Sequence, residues 1–163
     1  MKGPDIVAAE PVDPVETHDA LDLEAFAPYL INRISARYNA DMAEALKARG
    51  ITTPQMRALA VLSVHADITV NELAVYAVME QSTMSRTLDA LESAGLVSRK
   101  ARVGDARVRE VALTAAGEAA FESVLPTMRE AEEAMLAGIG RAERDAFLAA
   151  LHTILRNIRR NPF

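Results

Sequence analysis

Apolar residues at Phe26, Leu30, Ile34, Tyr38, Met42 and Leu46 recur every four positions. That spacing marks one face of a long helix from Leu23 to Lys47. Pro28 suits its first turn, where a missing N–H costs nothing, and Gly50 provides the stop. Thr53-Pro54 reads as the N-cap and first-turn proline of a second helix, with Met56, Leu59, Ala60 and Leu62 inward and an end near His65. Thr69-Val70-Asn71-Glu72 has the form of a capping box, in which each outer side chain satisfies the other residue's orphan N–H. It opens a short helix with Leu73, Ala74 and Ala77 inward. A further helix starts around Gln81-Ser82-Thr83, buries Met84, Leu88 and Leu91, and closes at Gly95. Leu96-Val97 leads into a strand through Arg102. A turn at Val103-Gly104-Asp105-Ala106 follows, then a second strand from Val108 to Leu113, which together predict a hairpin.

Thr114 is placed to cap a long helix carrying Phe121, Leu125, Met128, Met135 and Ile139, with a kink expected at Pro126 and a break at Gly138 and Gly140. A last amphipathic helix carries Phe147, Leu148, Leu151, Ile154, Leu155 and Ile158 and ends at Asn161-Pro162. Residues before Ala20 lack an apolar period and hold Pro4, Pro11 and Pro14 among acidic and small side chains, so a mobile arm is expected there.

These elements predict a mainly α fold with a small β-hairpin: a winged helix-turn-helix with a helical dimerisation domain. Residues 1–21 are expected to form the arm, 22–50 a dimerisation helix, 51–114 the winged helix-turn-helix and 115–163 the C-terminal dimerisation helices. The first and last helices carry long apolar stripes that a small winged-helix core cannot cover, so a partner subunit is the expected cover. Two-fold symmetry then implies a pseudo-palindromic target with half-sites about 10 base pairs apart, or a multiple of that.

The side chains that remain outside this pattern suggest the chemistry. Burying Met84, Leu88 and Leu91 turns Gln81, Ser82, Thr83, Ser85 and Arg86 outward on the first half of their helix. Recognition helices use this half in the major groove, where Gln can pair an adenine edge and Arg a guanine edge or a phosphate. Arg102, Arg107 and Arg109 on the hairpin suit phosphates and the adjacent minor groove. The formal net charge of −5 does not oppose this. Asp5, Glu10, Asp13, Glu16, Asp19, Asp22 and Glu24 precede Phe26 against the single Lys2, whereas Arg99, Lys100, Arg102, Arg107 and Arg109 lie close together.

Composition narrows the remaining classes. Half the chain is apolar and 25% charged, enough for a core and a solvated surface, and 4% aromatics with no Trp suit packed helices. There is no Cys, which excludes disulfides, thiolate catalysis and thiol-based redox sensing. His18, His65 and His152 are far apart and lack partners at metal-ligand spacing, so no metal and no cofactor are expected. Nucleophile triads, phosphate loops and dinucleotide fingerprints are absent, and the chain does not read as an enzyme. Without an apolar signal segment or a membrane-length apolar run, a soluble cytoplasmic protein is expected. The competing readings are an enzyme site assembled from distant residues and a winged-helix module that binds protein instead of DNA. Salt-dependent DNA binding separates the latter.

The run Gln81-Ser82-Thr83-Met84-Ser85-Arg86 through Leu91-Glu92 and Gly95-Leu96-Val97, then Asp105-Ala106-Arg107 and Val111-Ala112-Leu113-Thr114, resembles the multiple antibiotic resistance regulator (MarR) family of bacterial transcription factors. The resemblance spans about Leu23 to Ile158. It implies a triangular homodimer with intertwined terminal helices, and a repressor acting on operator DNA. It also implies that Arg107 enters the minor groove and that Asp105 orients an Arg by a salt bridge. Family members often bind a small aromatic or phenolic effector; Tyr29, Arg33, Tyr38 and His65 are the residues nearest the crevice this implies. The chain departs from the family pattern at Val78, a turn position often held by Gly, and at Ala106, where many relatives carry a second Arg.

Overall fold

The computed structural model describes residues 21–102 and 104–159, and of residues 105–107 the backbone alone. The expected arm, Val103, and the stop at Asn161-Pro162 lie outside the described residues. The described elements run α1 (Ala27–Leu46), a 3-10 turn (Lys47–Arg49), α2 (Thr53–Leu62), β1 (Ile68–Thr69), α3 (Val70–Tyr76), α4 (Gln81–Ser93), β2 (Val97–Arg102), β3 (Asp105–Leu113), α5 (Ala115–Met135) and α6 (Arg141–Ile158). The chain divides into two compact units, residues 1–35 and 36–163.

In the first unit, Asp22 organises a turn before α1. Its carboxylate accepts the Glu24 N–H at 3.0 Å and its carbonyl the Ala25 N–H at 3.2 Å, so α1 begins at Ala27 rather than Leu23. Phe26, Leu30, Ile31 and Ile34 are exposed.

The second unit holds two clusters of buried side chains. The larger joins Leu59 and Leu62 of α2, Leu73 and Ala74 of α3, Met84, Leu88 and Leu91 of α4, Val97 of β2 and Val111 of β3. These include the inward residues expected for α3 and α4; in α2, Ala58 is fully buried where the periodicity pointed to Ala60, which is only partly buried. The smaller joins Met42, Leu46, Met56 and Val124, with Tyr38, Ile51, Phe121 and Met128 packed on it.

Local capping sets the helix starts. Thr52, not Thr53, caps α2: its hydroxyl accepts the Gln55 N–H while the Gln55 amide oxygen accepts the Thr52 N–H at 2.9 Å. The reciprocal box requires Glu or Gln three residues on, which Thr52 has and Thr53, followed by Met56, does not. The helix ends at Leu62 rather than near His65. The Thr69–Glu72 box forms as expected. Thr114 caps α5, accepting the Gly117 N–H at 3.1 Å, and α5 continues through Pro126 to Met135.

The β structure is larger than the expected hairpin. It is a three-stranded antiparallel sheet of order β1-β3-β2, with Ile68 opposite Val111 and Val97 opposite Leu113. β3 starts at Asp105 rather than Val108, and the register shifts between Ala101 and Arg102. A residue pair as short as Ile68–Thr69 carries no period of its own and becomes a strand only by pairing with β3.

The root of the hairpin is tied to the start of α5. The Thr114 N–H donates to the Leu96 carbonyl at 3.1 Å and its hydroxyl to the Gly95 carbonyl at 2.6 Å. Gly117 is required here, because a Cβ built on it would lie 1.9 Å from the Leu96 carbonyl oxygen.

Candidate nucleic-acid interface

α3 and α4 form the helix-turn-helix, and the turn between them contains an uncommon backbone. Val78 has φ of 54°, in the left-handed region, and the residue is 79% exposed. A β-branched side chain at positive φ clashes with its own backbone, and glycine relieves that clash. Hydrogen bonds hold the conformation: the Val78 N–H donates to the Val75 carbonyl at 3.1 Å and the Met79 N–H to the Ala74 carbonyl at 2.9 Å. Arg57 of α2 adds a long contact from Nη1 to the Val78 carbonyl at 3.4 Å, while its Nη2 donates to Asn39 Oδ1 at 2.8 Å. The left-handed turn is the backbone expected where the family often has Gly, retained here with Val.

Beyond that turn, α4 starts at Gln81 with Glu80 as N-cap and no side-chain capping bond. With Met84, Leu88 and Leu91 fully buried, Gln81, Ser82 and Arg86 are exposed and Thr83 and Ser85 half-buried. Arg86 Nε donates back to the Ser82 carbonyl at 3.3 Å. Thr87 packs inward, its hydroxyl donating to the Thr83 carbonyl at 2.9 Å. Gln81, Ser82 and Arg86 are thus the exposed hydrogen-bonding groups of the first turn and a half of α4, while its second half exposes the carboxylates Asp89 and Glu92 and the hydroxyl of Ser93.

The hairpin's cations divide into two groups. Lys100 and Arg109 are exposed. Arg102 pairs with Glu110 across the strands. Arg99 turns toward α4, where Nη2 donates to Asp89 and Nε lies 3.2 Å from Glu92 Oε2. The latter is a charge contact not aligned as a hydrogen bond. The sequence places Arg99 and Arg102 in one basic stretch opposed by Asp105 and Glu110; the structure pairs Arg102 with that Glu110 and turns Arg99 to two carboxylates of α4 that the local sequence does not mark. The side chains of Asp105 and Arg107 lie outside the described residues, and both backbones belong to β3.

The α3 cap has an electrostatic signature. The Thr69 N–H and hydroxyl both donate to Glu72 Oε2 at 2.8 Å and hold this carboxyl below the usual carboxylate range, with Arg102 adding to the effect.

Of the four residues expected near an effector, Tyr29 and Arg33 belong to the first unit and Tyr38 and His65 to the second. Arg33 sits over the Tyr29 ring at 5.7 Å, with Nη1 3.4 Å from the phenol oxygen. Tyr38 packs on the smaller cluster; burial pushes its phenol pKa up, Glu132 adds to the shift and Arg57 opposes it. His65 stacks on Tyr76 at 4.5 Å. A cavity of about 530 Å³ is lined by residues including Leu62, Val64, Leu113, Phe121 and Leu125, and one of about 300 Å³ by residues including Asn39, Arg57 and Thr83. None of the four lines either cavity. Among the described residues no group of three or more His, Asp or Glu side chains could hold a metal ion, and no helix is long and apolar enough to cross a membrane.

The arrangement matches known proteins. The family model described as "MarR family" matches residues 49–108, which cover the helix-turn-helix and the start of β3. A MarR-family transcriptional regulator from Silicibacter pomeroyi is 45% identical, with a TM-score of 0.81 over 86% of this chain and 95% of that one. The HTH-type transcriptional repressor Rv2887 of Mycobacterium tuberculosis is 30% identical over 77% of this chain and 91% of its own length. Its structure in complex with salicylic acid aligns with a TM-score of 0.66 over 80% of this chain and 96% of that one. The transcriptional repressor CouR, solved on a 23-mer DNA duplex, is 26% identical with a TM-score of 0.70 over 81% of this chain and 94% of that one. With a relative at 30% identity over most of both lengths and the same winged helix-turn-helix, this chain belongs to the MarR family of transcriptional regulators.

Proposed function

We propose that the chain is a cytoplasmic, homodimeric, non-enzymatic repressor that binds a pseudo-palindromic operator. The observation that carries this is the exposed polar first half of α4 beside the exposed cations of the hairpin. Gln81, Ser82, Thr83, Ser85 and Arg86 enter the major groove. Arg102, Arg107 and Arg109 reach phosphates and the minor groove, with Asp105 orienting an Arg. The exposed apolar side chains of α6, among them Phe147, Leu148, Ile154, Leu155 and Ile158, meet their counterparts on a second copy. Gel-shift titration of the full chain against the DNA upstream of its gene tests the proposal. A sequence-specific shift that weakens steeply with salt is expected, and the absence of any specific shift over competitor DNA overturns it.

The proposal extends to control by a small aromatic or phenolic ligand. It is supported by the Rv2887 relative's complex with salicylic acid. We assign Tyr29, Arg33, Tyr38 and His65 to this role. Ligand binding would shift the population of DNA-competent conformers. Such a ligand should raise the melting temperature of the wild type, and single substitutions such as Tyr38→Phe should reduce the shift. Equal shifts in every variant refute the assignment.

A further inference from the structure

The two DNA-reading elements, α4 and the hairpin, are joined by one side chain that the reading of DNA contacts leaves unused. Arg99 stands on β2 opposite Val111, whose side chain is in the buried core. Its side chain is only 22% exposed, so it lies beneath the hairpin rather than on its outer surface. From there it meets two carboxylates, Asp89 and Glu92, that are three residues apart and therefore on one face of α4. A planar guanidinium can engage both with different nitrogens, and here Nη2 serves Asp89 while Nε faces Glu92. Among the described residues, these ion pairs link β2 to the C-terminal half of α4 above the shared core.

We propose that Arg99 is a positioning residue for DNA recognition: it fixes the angle between the recognition helix and the wing. It does so without touching DNA, and the proposal rests on the DNA-binding reading above. Two physical consequences distinguish it from an ordinary surface ion pair. First, a two-stranded ribbon attached only at its root bends easily, and binding must then order it, which weakens affinity. Second, Asp89 and Glu92 are carboxylates on the very helix that approaches a polyanion; Arg99 neutralises charge there at the same time as it aligns the wing. Lys in its place would keep the charge but present a single nitrogen to two separated partners, so it should align the wing poorly.

The test uses the full chain and has one arm without DNA and one with it. Because the chain has no Cys of its own, spin labels can be introduced at Ser82→Cys on α4 and Lys100→Cys on β2, with labelled protein diluted into unlabelled protein. A narrow distance distribution is expected for the parent and a broad one for Arg99→Met and for Asp89→Asn/Glu92→Gln. The reversed pair Arg99→Asp/Asp89→Arg should narrow it again. Distributions that stay unchanged overturn the proposal. In the DNA arm, both disrupting variants should bind about tenfold more weakly, with a salt dependence flatter by about two phosphate contacts as the wing disengages. The carboxylate variant is decisive, because it removes two negative charges. Tighter binding with an unchanged salt slope would show that the cluster acts through charge alone and would overturn the positioning role. Should the parent fail to bind DNA at all, the DNA-binding reading falls, while the distance arm still decides whether Arg99 aligns the two elements.

Discussion

Gly117→Ala reverses the usual effect of replacing glycine in a helix. In an exposed helix interior the change stabilises by about 1 kcal/mol, because glycine has more freedom to lose on folding. At position 117 the new Cβ would sit 1.9 Å from the Leu96 carbonyl oxygen, 3.0 Å from its carbon and 3.2 Å from Leu113 Cδ2. Two of these atoms are backbone, so no side-chain rotation relieves the overlap. The start of α5 must retreat by roughly 1.5 Å before ordinary van der Waals contact returns. That movement pulls on the Thr114 N–H bond to the same Leu96 carbonyl. Overpacking costs about 1–3 kcal/mol and a weakened hydrogen bond about 1 kcal/mol. After subtracting the propensity gain, a net loss of about 2 kcal/mol remains. For a chain of this size the melting temperature should fall by about 4–8 °C, followed by circular dichroism at one fixed protein concentration. Ala119→Gly, at an exposed position two residues on, supplies the control and should lose about 1 kcal/mol from propensity alone. A Gly117→Ala protein as stable as the parent would show that the helix start does not press on the hairpin root, and the reasoning would fail.

Val78→Gly should raise the melting temperature by about 1–3 °C, since relief of left-handed strain, about 1–2 kcal/mol, exceeds glycine's added entropy cost; Val78→Ala, which keeps the Cβ, should give no such gain. Thr69→Ala should cost about 1 kcal/mol by uncapping α3, read in a urea titration as a lower midpoint with unchanged slope. The Glu72 carboxyl titrates below its unfolded value, so its contribution is fully present above about pH 4.3 and is lost as pH falls through the lower folded value. Glu72→Gln should therefore remain less pH-sensitive than the parent between about pH 5 and 3, and parallel pH profiles for the two would refute the linkage. Sedimentation should report twice the chain mass, and truncation after Gly140 should yield monomers or insoluble material; a well-folded monomer from the full chain refutes the dimer.

Legibility in the sequence followed the range of the forces involved. The Thr69–Glu72 box, the Thr114 cap and the burial of Met84, Leu88 and Leu91 are set by neighbours within one or two helical turns, so pattern alone located them. The cap of α2 is also legible, since Gln55 stands three residues after Thr52; Pro54 marks the first turn of the helix without distinguishing Thr52 from Thr53. The strand at Ile68–Thr69 depends on partners 43 and 41 residues away, and the engagement of Arg99 on Asp89 and Glu92, 10 and 7 residues away; neither carries a local mark. Gly117 resembles any other glycine near a helix start, because what excludes a larger residue is the Leu96 carbonyl, 21 residues earlier in the bend before β2.

The bonds from Thr114 to Gly95 and Leu96 tie the base of the wing to the start of α5, and Arg99 braces it against α4 further out. β3 runs nine residues from the tip to this joint, a rigid arm of roughly 25–30 Å. Turning α5 by 5° would carry the root with it and sweep the tip through roughly 2.5 Å, comparable to the length of a hydrogen bond. A displacement too small to disturb packing along α5 is thereby enlarged, at the far end of the lever, to the scale on which a groove contact is made or broken.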